Sequence, residues 1–243
     1  MRQQFLVEKG EKNVLINWSE EGLSRWSEET FTENFRVNRG TYEFILHGIE
    51  GHLRKKPTNR NPQPIEPAKQ LAICLYRLAH GCTFTTVANL FAVSKPTACI
   101  TFNKVCKVLV RTLYDRFVCL PNGQSQWESE LKSCLEDWEF PCVGAWDGFH
   151  IYVSTHIKNY FSFKKRYSVT NMALIGHKRF LWAAVGAPVS THDSRLLRSC
   201  DINDRIEEGS VLPNTFLRLH NYGSIPFTTV GDSAFPRRPW LLK

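Results

Sequence analysis

No Cys-x-x-Cys pair occurs among the eight cysteines, which stand at positions 74, 82, 99, 106, 119, 134, 142 and 200. A zinc ribbon or finger needs ligands paired at that spacing, so a structural zinc site is not expected. Cys74, Cys99 and Cys106 fall on apolar helical faces, where a buried free thiol is the ordinary outcome. No run reaches the ~18 apolar residues of a membrane span, and the start, Met1-Arg-Gln-Gln-Phe-Leu-Val-Glu-Lys, lacks the apolar core of a secretory signal. Internal repeats and low-complexity blocks are absent as well. Together these absences point to an intracellular, reducing compartment. Acidic residues are in deficit: 23 Asp and Glu stand against 31 Lys and Arg, for a formal charge of +8. That balance favours a polyanionic partner, although many basic proteins bind no nucleic acid. At 243 residues the chain is long enough for one large core or two small ones.

What is present organises itself in two textures. Residues 1–30 mix charges with Trp18 and Trp26 and show no clear period. Beyond them Asn38 is placed to cap a helix carrying Tyr42, Ile45, Leu46 and Ile49. The stretch 51–67, with four prolines and Arg54, Lys55, Lys56 and Arg60, reads as an exposed basic linker; a soluble loop and a phosphate-contacting one are equally compatible with it. A helical trio follows. Leu71, Cys74, Leu75, Leu78 and Ala79 share one face of a helix ending at Gly81, and Phe84, Val87, Ala88 and Phe91 make a short second helix. After a turn at 92–94, Ser94 caps a third helix with Pro96 in its first turn and Cys99, Phe102, Cys106, Leu109 and Leu113 on the inner face. Short helix, turn and longer capped helix match a helix-turn-helix, on which Lys95, Thr97, Asn103 and Lys104 would face DNA. Such trios also serve packing alone.

From residue 143 strands take over. The run Val143-Gly-Ala-Trp-Asp147-Gly-Phe-His150-Ile-Tyr-Val153 reads as a buried strand delivering one carboxylate to a sheet edge. Stretches 169–175 and 180–185 continue it as a three-stranded meander, residues 193–200 suggest a helix, and 227–230 a strand that delivers Asp232. Two strands each presenting an Asp supply the hard oxygen ligands that Mg²⁺ or Mn²⁺ requires for phosphoryl transfer. An Asp strand, two further strands, a helix and a second Asp strand open a ribonuclease-H-like α/β fold. The expected architecture is an N-terminal segment (1–30), a helical, helix-turn-helix-like module (31–120) and a ribonuclease-H-like nuclease domain (121–243).

Three motifs in this order, Ala145-Trp-Asp147-Gly-Phe-His150, Thr191-His192-Asp193-Ser194-Arg195 and Val230-Gly-Asp232-Ser-Ala-Phe235-Pro236, resemble the PIF/Harbinger transposases and the DDE-superfamily nucleases domesticated from them. Upstream, Phe35-Arg-Val-Asn-Arg39 and Leu75-Tyr-Arg-Leu-Ala-His80-Gly81 extend the resemblance over roughly residues 31–243. The resemblance implies that Asp147 and Asp232 are the first and second catalytic carboxylates and hold a divalent metal. It places Asp193 in a family signature outside the usual triad, as a helix N-cap or in a supporting role near the metal. His150 and His192 could orient a phosphate or a carboxylate, with a structural role as the other reading. Lys164, Lys165 and Arg166 form a candidate phosphate-contacting loop or a solvated hairpin end. A separate Myb-like DNA-binding partner and residence in the nucleus, with the cytoplasm as a second location, are also implied.

The family's third ligand is a Glu on a helix well beyond the second Asp. Glu207 and Glu208 precede Asp232, and no Glu follows it in this sequence. The expectation is therefore a C-terminally truncated nuclease domain that lacks its third acid and leaves Phe235, Trp240 and Leu241 as exposed apolar surface. Two functions compete: a metal-dependent DNA nuclease, and a catalytically inactive derivative acting as a DNA- or protein-binding module.

Overall fold

The computed structural model describes residues 6–7, 14–15, 25–59, 63–153, 160–161, 165–189, 191–219 and 223–243. The chain divides into two units, Met1–Asp115 and Arg116–Lys243.

In the first unit two short strands, β1 (Leu6–Val7) and β2 (Val14–Leu15), pair antiparallel. Helix α1 (Glu28–Phe35) starts inside the segment whose sequence shows no period. Local chemistry sets it: Ser27 Oγ accepts the Thr30 amide, two glutamates occupy the first turn, and Phe31 and Phe35 are buried. Helix α2 (Arg39–Leu53) is capped as its sequence indicates, with Asn38 Oδ1 accepting from the Thr41 amide at 2.8 Å. It continues past Gly51, where a linker was expected to begin. The glycine costs the helix about 1 kcal/mol, whereas complete burial of Leu53 gains about 2 kcal/mol.

Helix α3 (Pro67–His80) has proline in its first turn and ends on Gly81, whose φ of +59° suits a left-handed cap. Leu71, Cys74 and Leu75 are buried as expected, but Leu78 is 58% exposed, because burial on α3 is concentrated in its N-terminal half, where Ala72 and Ile73 are also sealed. Helices α4 (Phe84–Leu90) and α5 (Lys95–Phe117) flank a turn with Ala92 at φ +49°. Ser94 Oγ accepts the Thr97 amide at 3.2 Å. The inner face of α5 is centred on Ala98, Thr101 and Val105, one position off the expected line; Phe102, Cys106, Leu109 and Leu113 flank it, partly buried.

The second unit is α/β. Helix α6 (Gln124–Trp138) buries Trp127, Leu131 and Cys134. Strands β3 (Ala145–Tyr152), β4 (Ser168–Gly176) and β5 (Arg179–Pro188) form the expected antiparallel meander. Its β4–β5 turn is tied to α6: Glu130 accepts the His177 amide and meets Arg179 at 3.1 Å, while Asp137 meets Lys178 and His177 at 2.6 and 2.8 Å. Helices α7 (Asp193–Ser199) and α8 (Asp201–Glu207) follow, then the hairpin β6 (Phe216–Leu219) and β7 (Gly223–Pro226). The chain re-enters the sheet as β8 (Thr229–Gly231), parallel to β3, and β9 (Leu241–Leu242), parallel to β8. The strand order is β5-β4-β3-β8-β9.

Phe235, Trp240 and Leu241, expected as exposed apolar surface, are core residues at 1, 9 and 1% exposure. The segment after Asp232 folds back to add β9, and the Trp240 indole joins the Trp146, Trp182 and Phe235 rings. Thr229 fastens the arrangement: its hydroxyl accepts from the Trp146 indole at 3.0 Å and donates to the Trp240 carbonyl at 2.9 Å. Exposed apolar residues of the sheet include Phe149, Ile151 and Tyr152 on β3, Phe180 and Val185 on β5, and Leu242 at the end of β9.

Candidate functional site

Parallel register brings the two motif aspartates together. Ala145 faces Val230 and Trp146 faces Gly231; Asp147 is the next residue of β3, and Asp232 directly follows the end of β8. Neighbouring strands lie about 4.8 Å apart. Asp232 is the residue after β8, and its Oδ1 accepts the Ala234 amide at 2.8 Å, a local turn that ends the strand. Gly231 lets the chain double back, since a Cβ there would stand 3.0 Å from the Phe235 ring. Both carboxylates are exposed.

Asp193 is the third member. Expected as a helix cap, it is instead the first residue of α7, with His192 in the cap position and making no capping side-chain bond. Its carboxylate rests on Gly148. A Cβ at Gly148 would lie 2.6 Å from Asp193 Oδ1 and 2.9 Å from its Cγ, a separation no real side chain tolerates. The glycine after Asp147 thus admits the Asp193 carboxylate to the face of β3. Burial pushes the Asp193 carboxyl above the usual carboxylate range; the negative charges of Asp232 and Asp147 push the same way, and His150 and His192 partly oppose them. All five residues share one electrostatic neighbourhood. His150 is exposed, with Nδ1 3.3 Å from the buried Thr170 hydroxyl on β4.

The donor set is all carboxylate oxygen with imidazole at its edge, which fits a hard divalent cation. Mutual repulsion at Asp193 is what such a cation would relieve. The arrangement is open: among the described residues no three His, Cys, Asp or Glu side chains converge closely enough to hold a metal ion.

The basic candidates lie elsewhere. Lys165 and Arg166 are exposed, the latter with its guanidinium 5.3 Å from the Tyr152 ring at the end of β3; Lys164 lies outside the described residues. On α5, Lys95 and Asn103 are exposed, and Thr97 shares a hydrogen bond with Ser94. Lys104 is turned inward. Its ammonium donates to the Leu53 carbonyl at 2.9 Å, at the negative end of α2, and lies 3.5 Å from Gln70 Oε1. Burial, and then Lys55, hold its basicity below the ordinary lysine value.

The contact that sequence reasoning did not anticipate is the one between Asp193 and Gly148. Its only local signal is the Asp147-Gly148 dipeptide within an apolar strand.

Comparison with known proteins agrees with the motifs. A protein of Arabidopsis thaliana named Protein ALP1-like is 27% identical over 228 residues, covering 88% of this chain and 54% of its own length. A second, Protein Antagonist of Like Heterochromatin Protein 1 of the same plant, is 25% identical over 228 residues, covering 87% and 56%. The chain is similar to Harbinger-transposase-derived proteins. It spans just over half the length of these Harbinger-derived relatives. No family model and no solved structure matches it.

Proposed function

We propose that the chain carries a divalent-metal-dependent site for phosphodiester cleavage in DNA, a nuclease site of Harbinger ancestry. One observation carries the reading: Asp147 and Asp232 each directly follow the last β3–β8 pair, Trp146 with Gly231, while the Asp193 carboxylate is seated on the glycine between Asp147 and Phe149. The strand order, an antiparallel meander joined through its first strand to two parallel strands, supports a ribonuclease-H-like assignment. The short helix, turn and longer capped helix of α4 and α5 support a helix-turn-helix role for the first unit.

Asp147 and Asp232 would hold Mg²⁺ or Mn²⁺, and Asp193 would support them from the α7 side. The bound cation supplies an activated water and charge stabilisation at the leaving oxygen. The chain's own residues position. Gly148 fixes how far α7 advances, Thr170 orients the His150 ring, and exposed Lys165 and Arg166 meet phosphates beside the strand end. DNA is the expected partner, with a Myb-like DNA-binding protein and the nucleus following from the resemblance.

A second reading is a protein- or DNA-binding module without catalysis. The openness of the carboxylate cluster and the name of one relative, an antagonist of a heterochromatin protein, favour it. Calorimetric titration of the protein with MnCl₂ separates the two. The nuclease reading expects saturable binding weakened roughly tenfold or more by Asp147→Asn; wild-type protein that takes up no Mn²⁺ leaves the binding module.

A further inference from the structure

Two cysteines in the first unit meet across its core. Cys74 on α3 and Cys106 on α5 place their Sγ atoms 3.6 Å apart, and both are free thiols. A disulfide is ~2.05 Å long, so bond formation needs a further approach of about 1.5 Å. The two differ in access: Cys74 is fully buried, Cys106 only partly. Arg77, held over the Phe84 and Phe102 rings at 3.9 and 5.2 Å and donating to the Cys82 carbonyl, brings a fixed positive charge to the same corner.

We propose that Cys74 and Cys106 form a modification site, a dithiol that a peroxide closes to a disulfide joining α3 to α5. Cys106 is the attacking sulfur. It is the one of the two that solvent reaches, and its hydrogen bond with Cys74, a backbone hydrogen bond and the Arg77 charge favour its thiolate against the cost of burial. Cys74 is held well above the thiol range by the same contact and by burial, and acts second.

The Cys106 thiolate attacks one peroxide oxygen. The O–O bond breaks, hydroxide leaves and takes up a proton as water, and Cys106 becomes a sulfenic acid. The Cys74 sulfur then attacks Cys106 Sγ, surrenders its proton, and displaces the hydroxyl as a second water. Two thiols lose two electrons and two protons, and one peroxide is reduced to two waters. The product ties the helix bearing Lys95 and Asn103 to α3 and constrains the unfolded chain.

The second unit provides an internal control. Cys134 and Cys142 also share a thiol–thiol hydrogen bond, but both are sealed from solvent. Proximity alone would oxidise both pairs; the geometry selects the pair with one accessible sulfur.

The test is a thiol map of the full chain after limiting hydrogen peroxide under native conditions. Free thiols are alkylated and the protein is digested without reduction. The expected product is a peptide joining Cys74 to Cys106, lighter by two hydrogens, reversed by dithiothreitol, with Cys134 and Cys142 still alkylated. In Cys74→Ser the oxidation stops at a Cys106 sulfenic acid that dimedone traps. Recovery of Cys74 and Cys106 as free thiols while exposed Cys119 is oxidised overturns the proposal. Passage of Cys106 to sulfinic acid without a cross-link, or equal oxidation of the Cys134 and Cys142 pair, overturns it too. The wild-type map decides the matter even if the variant does not fold.

Discussion

The carboxylate of Asp193 occupies the space a side chain at position 148 would fill, with Oδ1 2.6 Å from where a Cβ would stand. Neither residue explains itself alone. Gly148 weakens a β-strand that has only eight residues, and Asp193 is a partly buried acid beside two others. Together they bring the start of α7 onto β3 next to Asp147.

Gly148→Ala is expected to destabilise the fold by about 1–3 kcal/mol, because the methyl group must displace the carboxylate or the helix carrying it. The cost should shrink in an Asp193→Ala background, where the clash is gone. Urea unfolding of the four proteins in a double-mutant cycle measures the coupling; additive losses would show that the two residues do not meet.

The raised Asp193 carboxyl makes stability depend on pH in a defined direction. Its folded value lies above its unfolded one, so between the two the folded protein holds the extra proton. Stability therefore falls as pH rises from the ordinary Asp range through the raised value. Asp193→Asn should flatten this slope, as should saturating Mg²⁺, which favours the ionised acid. Urea midpoints across pH 4–8, about the range where carboxyls with raised values titrate, read both effects. A slope of opposite sign in the wild type, or one unchanged in the variant, would contradict the account.

Glu130 and Asp137 both hold the β4–β5 turn to α6, yet they should differ in effect. Glu130 is buried and serves the His177 amide and Arg179, so Glu130→Ala is expected to cost about 2–3 kcal/mol. Asp137 is exposed and meets the exposed Lys178 and the half-buried His177, and Asp137→Asn should cost much less. Thermal unfolding ranks them.

On α5, Lys95 and Lys104 should separate binding from stability. Lys95 is exposed, and Lys95→Ala is expected to weaken DNA binding and to lower the salt dependence by about one counterion without moving the unfolding midpoint. Lys104→Ala should do the reverse, since its ammonium satisfies the Leu53 carbonyl. Salt-titrated binding beside unfolding curves distinguishes them; loss of stability in Lys95→Ala would place it in the fold.

Much of this was legible because local chemistry governs it. Asn38 and Ser94 are caps, Gly81 stops a helix, and three β-rich stretches pair as a meander. Less legible were features decided by contacts distant in sequence. Trp240 is buried because β9 returns to β8 and its indole finds Trp146 and Glu207, and Lys104 turns inward to a carbonyl 51 positions away. That the strands leading to Asp147 and Asp232 lie side by side could be anticipated from two motifs. The seating of Asp193 could not, because a glycine in a strand has several explanations until the neighbour that fills its space is known.

The most direct test is metal-dependent cleavage of duplex DNA by the wild-type chain beside Asp147→Asn, Asp232→Asn and Asp193→Asn, each checked for folding. The account predicts cutting that requires Mg²⁺ or Mn²⁺, is abolished by either of the first two changes and is reduced by the third. Undiminished cutting by folded Asp147→Asn, or salt-sensitive DNA binding by the wild type with no cutting under any metal, would contradict it.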